Sequence, residues 1–473
     1  MIFIDKHKKV PLYEQIYHGY RKAIEDNTLE KGSLLPPIRS LTKELNVSIN
    51  TVSKAYQLLL SENYIRSVPG SGYYVRNVKT VQRKQKKETL SISKNSVNDG
   101  IQYNFNYDTM DSLLFPWSKW RHYLLKAISD EAIQENIGYE DKKGCLELRQ
   151  ILCQYMYRTR GIQCDTDQII ICAGKQYAMD IILDILPPKF NCVGIEDPCL
   201  QRVRKAFRDK GKKRVSIPIT DEGLDVTLLE KSSCNLLYTT PSHNFPTGSV
   251  TSLTKRIQLI EWTKRTGSYV IEDDYENEFF DGIQTIPSIY SLDHDDRVIY
   301  MHTLSRVLSP SIRCSYIVLP KPLLAAYERR YKYYFTALPL HHQTALAHFI
   351  KDGHLERQCR KTRSYNQKRY KKIISFFNEK VSDLVSCIPV SSCTHVLLTV
   401  IPCTNADELL EVMEENGIRL YSAKNFWNTE ASVAENVFIL GFHGIPEELL
   451  LTACEKFAFI LRDFYDMKEE REN

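Results

Sequence analysis

The sequence predicts a multidomain protein: a small α+β head at the N-terminus and a large α/β body built on a mostly parallel sheet. Three observations carry this. Helical periodicity, a short turn and a Gly-rich hairpin signal follow one another within residues 1–76. From residue 99 onward, short apolar runs alternate with helical stretches, the pattern of a sheet covered on both faces with its sites at the strand ends. Charge divides the chain at the same place: residues 1–98 hold 17 Lys and Arg against 8 Asp and Glu, whereas the remainder holds 46 against 50. A basic head on a mildly acidic body points to a polyanion as the head's partner.

Composition narrows the class. At 473 residues, 43% hydrophobic and 26% charged, the chain has the make-up of a globular protein with a substantial core. No apolar run reaches the length of a membrane span, and the start, Met-Ile-Phe-Ile-Asp-Lys, carries no signal-peptide pattern. The 13 cysteines are scattered without a Cys-x-x-Cys pair, which argues against a disulfide framework or a zinc site. Reduced thiols in a cytoplasm fit this usage.

In the head, Pro11 suits the start of a helix running to about Asp26, with Leu12, Ile16, Ala23 and Ile24 at helical spacing. Gly32-Ser33 breaks the pattern and leads through Leu35-Pro-Pro-Ile-Arg39 into a short helix carrying Leu41 and Leu45. Asn46-Val47-Ser48 is a tight turn, and Ser48 is placed to cap the next helix. That helix turns Val52, Ala55, Tyr56 and Leu59 inward and leaves Asn50, Thr51, Ser53 and Lys54 outward near its start. Two helices across a short turn, the second with a polar start, form a major-groove reader. Tyr64-Ile65 and Tyr73–Val75 then read as a hairpin around Pro69-Gly70-Ser71-Gly72.

The order resembles the GntR winged-helix family, through Pro11-Leu-Tyr-Glu-Gln, Leu35-Pro-Pro-Ile-Arg39, Val47-Ser-Ile-Asn-Thr-Val52, Ala55-Tyr56 and Gly70-Ser-Gly-Tyr-Tyr-Val75. The resemblance implies that Arg39, Ser48, Asn50, Thr51 and Lys54 touch double-stranded DNA and that Gly70, Ser71 and Gly72 form the wing tip. Family members often carry a basic residue after the turn serine; this chain has Ile49.

Residues 77–98 contain Arg83-Lys-Gln-Lys-Lys87 and little apolar periodicity, the composition of a basic flexible linker. The body, residues 99–473, offers strands at 168–173, 192–195, 235–239, 269–272, 298–301 and 314–319. Helices are expected between them at 175–186 and 253–266, and a smaller C-terminal α/β subdomain from about 330.

Chemistry gathers at the ends of these strands. Thr303 and Ser305 alternate with Leu304, then Arg306 follows, then Arg313 seven residues later; hydroxyls and arginines suit a phosphate ester. Ala173-Gly174-Lys175-Gln176 follows a strand and opens a helix, so its N–H groups can meet an anion. Val270-Ile-Glu-Asp-Asp-Tyr275 places carboxylates just past another strand. Taken alone, Glu272-Asp273-Asp274 also suits a solvated turn or a metal ligand set, and His243 a packed loop histidine.

Together these segments resemble fold-type I pyridoxal phosphate (PLP) enzymes, and residues 137–149 and 240–248 resemble class I aminotransferases. Joined to the head, the whole chain is similar to MocR/GabR-type transcription regulators. The resemblance implies a PLP site in which Gly174, Lys175, Gln176, Thr303, Ser305 and Arg313 hold the phosphate. Asn244 and Tyr275 reach the ring oxygen, and Asp273 pairs with the pyridine nitrogen. It also implies a homodimer.

The chain departs from that pattern at three places. Arg306 stands where the family has its Schiff-base lysine, and a guanidinium stays protonated and cannot form an internal aldimine. Leu200 replaces the ring-stacking aromatic, and the run 437–442 lacks the arginine that commonly holds a substrate carboxylate. No catalytic residue and no metal ligand is assigned. Lys175 is the one nearby amine. The sequence therefore reads as a cytoplasmic DNA-binding regulator whose body dimerises and senses non-covalent PLP or another small anionic ligand, with Arg306 as a fixed cation. An active PLP-dependent aminotransferase with an accessory DNA-binding head, and a ligand-independent dimer scaffold, are the alternatives.

Overall fold

Packing divides the chain into two units, residues 1–96 and 97–473. The structure is a computed structural model that describes residues 4–5, 10–76, 100–111, 114–131, 138, 140–279, 286–390, 393–401, 405–428 and 436–472. The expected linker, 77–98, lies outside the described residues.

The head forms α1 (Leu12–Glu25), α2 (Ile38–Leu45), α3 (Ile49–Ser61), β1 (Ile65–Val68) and β2 (Gly72–Val75). Helix α2 stops because Asn46 turns left-handed at φ 50°, a conformation asparagine tolerates better than most residues. Ser48 then caps α3, its side chain accepting the Thr51 N–H at 3.2 Å. The two strands pair antiparallel from Ile65 opposite Val75 to Val68 opposite Gly72. The core is Ile16, Tyr17, Tyr20, Ile24, Leu41, Val52, Tyr56 and Leu59, with strand residues Ile65 and Val75. On α1 the expected stripe is shifted: Leu12 and Ala23 are half-buried, and the tyrosines fill the core between them. Tyrosine serves there because its hydroxyl can stay at the rim; that of Tyr17 donates to Glu62 at 2.5 Å.

The body begins with β3 (Tyr103–Asn104) and continues into the strands of a large sheet. These are β4 (Ile169–Cys172), β5 (Cys192–Asp197), β6 (Lys213–Thr220), β7 (Gly223–Leu224), β8 (Leu236–Thr239), β9 (Tyr269–Asp273), β10 (Val298–Thr303) and β11 (Ser315–Val318). Their order is β4-β11-β10-β9-β8-β5-β6-β7. From β10 to β6 the strands run parallel; β11 is antiparallel to both its neighbours, and short β7 returns along the edge. All six expected strands form, and helices Lys175–Ile185 and Leu253–Thr266 lie where periodicity placed them. Alternation sends Ile170, Tyr238, Ile271, Ile299 and Ile317 to one face and Ile169, Ile171, Tyr300, Tyr316 and Val318 to the other. Sequence-distant loops are thereby brought to one edge, past the C-terminal ends of β8, β9 and β10.

A smaller antiparallel sheet follows: β12 (Val385–Ile388), β13 (His395–Val400), β14 (Ile418–Arg419), β15 (Tyr421–Ser422) and β16 (Val437–Gly441), in which β12-β13-β16-β15 pair in that order. Strand β14 pairs instead with β3, so the start of the body is built into its C-terminal part. The expected boundary near 330 is too early. Leu338, Leu346, Phe349, Leu355 and Cys359 pack under the large sheet, and the core of the smaller subdomain takes up the chain at Ile373. The cause is the long helix His354–Lys380, which leaves one core and enters the other without a break.

Candidate functional site

In the head, Arg39, Asn50 and Lys54 are exposed, as are Gly70 and Ser71 at the hairpin tip, while Thr51 and Gly72 are half-buried. Ser48 is exposed but committed: its hydroxyl meets both the N–H and, at 2.8 Å, the hydroxyl of Thr51, which is a capping role. Lys54 Nζ stands 3.9 Å from the centre of the Tyr13 ring, a cation–π contact between α3 and α1. Gly70 and Gly72 have φ of 76° and 116°, and a side chain at Gly72 would press on Leu34. Tyr13 and Arg66, the latter exposed on β1 beside the Tyr74 ring, were not singled out in the sequence. Their signal was an aromatic or a cation next to the named motif residues.

At the strand ends of the body, the run 272–278 is neither a solvated turn nor a metal site. Each carboxylate is buried and has its own partner. Glu272 accepts the N–H groups of Ile289 and Tyr290 at 2.9 and 2.8 Å. Asp274 takes Arg160 Nε at 2.8 Å and the Tyr300 hydroxyl at 2.9 Å. Burial alone would raise Asp274, but the positive charge of Arg160, together with hydrogen bonds from Ser242 and Asn277 and the charge of His302, holds the carboxyl down to about 2. Glu272, desolvated beside the charge of Asp274, is pushed the other way, to about 7. His302 sits between acceptors, Nδ1 2.7 Å from the Asp274 carbonyl and Nε2 2.9 Å from Glu278. Burial opposes its protonation, yet Glu278 more than offsets this and its pKa is raised. Among the described residues no cluster of His, Cys, Asp and Glu is arranged to hold a metal ion.

Arg306 does hold a carboxylate, but it is the chain's own. Its Nε and Nη2 donate to Glu276 Oε1 at 2.9 and 2.5 Å, and Nη1 lies 3.8 Å from Asp108. Glu276 is fully enclosed: Thr394 donates to its second oxygen at 3.3 Å, and His243 Nε2 is 3.4 Å away. Desolvation would raise Glu276, and the charge and hydrogen bonds of Arg306, with His243 and His395, bring it down to about 2. His395, behind them, is pushed down to about 4 by burial and by His243. His243 is thus packed, as a loop histidine would be, but against a functional position.

Lys175 and Asp273 form a second pair. Lys175 opens its helix, turns inward and ion-pairs with Asp273 Oδ2, to which the Tyr238 hydroxyl also donates. The ammonium lies 5.0 Å from the centre of the Tyr275 ring and 5.7 Å from that of Tyr238. A cavity of about 520 Å³ opens here, lined among others by Lys175, Gln176, Leu200, Tyr275, Ser305, Arg306 and Arg313. Asn244 is buried and its amide is already engaged, donating to Glu196 at 3.0 Å and to the Pro198 carbonyl at 3.2 Å.

The two ends of this cavity differ in what they fit. At one end Gly174, with φ 94°, lets Arg313 lie against the helix start; a Cβ there would sit 2.4 Å from Arg313 Nη2. Ser305 Oγ is buried without a hydrogen-bond partner, as is the hydroxyl of Tyr275, whose ring lies beside the Lys175 ammonium. Free N–H groups, an arginine and the unpaired Ser305 hydroxyl suit a phosphate. Thr303 is spent locally, receiving the Ser305 N–H at 3.4 Å. At the other end, where a cofactor ring would lie, Asp273 is already neutralised, Leu200 offers no aromatic face and Arg306 offers no amine.

Comparison with known proteins agrees with both units. Residues 12–75 match the family described as "Bacterial regulatory proteins, gntR family", and residues 107–430 match "Aminotransferase class I and II". The HTH-type transcriptional regulator YdeL of Bacillus subtilis is 31% identical over 455 residues, covering 96% of this chain and 97% of that protein. The "Probable rhizopine catabolism regulatory protein MocR" of Rhizobium meliloti is 27% identical over 401 residues, 81% of this chain and 80% of that one. Among solved structures, the kynurenine aminotransferase of Pyrococcus horikoshii superposes with a TM-score of 0.68 at 21% identity, over 76% of this chain and 90% of that one, a likeness of fold. No helix among the described residues is long and apolar enough to cross a membrane. With a GntR head, an aminotransferase body and relatives matched across nearly their full length, the chain belongs to the MocR-type family of HTH transcriptional regulators.

Proposed function

We propose that this regulator reads duplex DNA with its winged-helix head and that its body senses a small anionic ligand, PLP or another, without a covalent bond to the protein. The observation that carries the reading is Arg306. The family's lysine position holds a guanidinium that cannot act as a nucleophilic amine and that is already tied to buried Glu276. An enzyme of this class without its amine has no route to turnover, whereas a ligand that only needs to be held loses nothing. The phosphate end, with Gly174, Ser305 and Arg313, supports anion binding. PLP itself, when bound in this fold, supplies an electron sink; the residues here supply orientation and charge.

The proposal includes a homodimer, which would present two heads to paired half-sites. Helix Trp117–Ile128 supports it: Trp117, Leu125 and Ile128 lie on one side of that helix and are each about half-exposed. Sedimentation at micromolar protein should give a dimer, and a stable monomer there rejects it.

The central test pairs two measurements on the full-length protein. Incubation with PLP, then borohydride, then intact mass should show no added cofactor mass. Gel shift on a selected operator should show strong salt dependence, since neutralised phosphates release counterions. A reducible adduct together with transamination would install the aminotransferase in its place.

A further inference from the structure

The ring end of the body cavity carries a charge arrangement of its own. Asp273 is 1% exposed, and a carboxylate so buried requires a counter-cation. Lys175 supplies it from within the chain, with its ammonium against the faces of Tyr275 and Tyr238. A pyridinium brought to Asp273 would enter a place already held by a cation of the same sign, with only one carboxylate between them. Its ring would also compete for the volume filled by the lysine stem. The changes around this place agree with one another: Leu200 gives no stacking face, Arg306 gives no amine, and the amide of Asn244 is spent on Glu196. The other end of the cavity is untouched by these changes. Its start of an 11-residue helix, the buried unpartnered hydroxyl of Ser305 and the side chain of Arg313 remain available to an anion.

We infer that Lys175 stands in for the cofactor's pyridinium, closing the pocket to PLP, and that the body binds a phosphate group, free or in a non-aromatic monoester, at Gly174–Gln176, Ser305 and Arg313. This rests on the anion-sensor reading and narrows it: of the two ligands named there, PLP is removed. It also changes what a single substitution can restore. Arg306→Lys supplies the missing amine but leaves the ring's place occupied, so restoring the cofactor requires Lys175→Ala as well.

Full-length wild type, Arg306→Lys, Lys175→Ala/Arg306→Lys and Arg313→Ala proteins are titrated with PLP by absorbance and equilibrium dialysis. In parallel, their Tm is followed with inorganic phosphate and with glycerol 3-phosphate, and circular dichroism checks that each is folded. Wild type and Arg306→Lys should show no saturable PLP binding, and the double variant should bind PLP at least ~10-fold more tightly than Arg306→Lys. Inorganic phosphate or glycerol 3-phosphate should raise the wild-type Tm, the stronger of the two marking the free or the esterified ligand, and Arg313→Ala should lose the shift. Saturable PLP binding by wild type overturns the Lys175 assignment while leaving a non-covalent sensor in place. So does a folded double variant that binds PLP no better than Arg306→Lys. A flat wild-type Tm with both phosphates overturns the phosphate site and with it the anion sensor, whatever Lys175 does.

Discussion

Arg306 and Glu276 are enclosed together, with side chains 16% and 0% exposed, so neither charge can be removed without stranding the other. Breaking a buried pair from one side costs about 3–5 kcal/mol, because an uncompensated charge is left in low dielectric. Glu276→Gln should therefore lower the urea midpoint of the body strongly, and the double change Arg306→Met/Glu276→Leu should recover most of the loss. A Glu276→Gln protein as stable as wild type would mean that Arg306 finds its counter-charge elsewhere. The identity of Arg306 was legible in the sequence, since residue type alone excludes an amine. Its partner was not. Five carboxylates lie within 272–278, and the strand end with the turn after it decides which of them meets Lys175, Arg160, Arg306 or His302. For the same reason the inward turn of Lys175 was read as part of a phosphate loop and not as a partner of Asp273.

At the scale of elements, the proposed DNA reading rests on α3, and its parts separate by what each side chain touches. Ser48→Ala should cost the head about 1 kcal/mol of stability by opening the N-cap, with DNA affinity falling only as the helix start frays. Lys54→Ala should weaken binding alike across sequences and reduce the salt slope by about 1, as loss of one phosphate contact does. Asn50→Ala should instead erode discrimination between sites by about 1–3 kcal/mol. If Lys54→Ala changed site preference and Asn50→Ala did not, the groove assignment of α3 would be reversed. The head was legible almost residue by residue because its signals are local: a left-handed Asn46, a capping serine and two glycines at a hairpin. What escaped was tertiary, namely Tyr17 and Tyr20 replacing Leu12 and Ala23 in the core. In the body the same limit hid the start of the smaller subdomain, since a continuous helix through two cores has no break to read.

Across the whole body, histidines from distant segments meet beneath the Arg306–Glu276 pair, and their titration links the site to stability. Burial, with the nearby His243 and Arg306, pushes His395 down to about 4. Burial, with Arg306 and Arg369, pushes His443 to about 3, and burial lowers His243 as well. Each has an ordinary value of 6.5, so between that pH and its lowered value the unfolded chain binds more protons than the folded one, and stability falls as pH falls. His302 has the opposite sign: its pKa is raised by Glu278 against burial, so its contribution is present below 6.5 and is lost as pH rises through the raised value. Below 6.5 His302 is protonated folded and unfolded and adds no slope. Burial raises Glu272, to about 7, and Glu196, and these two oppose the drop down to about 4.5. With His342 and His354 also lowered by burial, five histidines against two carboxyls make the net slope positive between pH 4 and 6.5. Below about 4.5 it continues, as Glu276 and Asp274, both held at about 2, take up protons in the unfolded chain first. Urea midpoints of the full-length protein should therefore drop steadily from pH 6.5 to 4. His395→Gln should flatten that drop by close to one proton's worth, keeping a neutral side chain between Thr394 and the Pro246 carbonyl. An unchanged slope in His395→Gln would show that this histidine titrates alike folded and unfolded. The enclosure of the Arg306–Glu276 pair would then be looser than its packing implies.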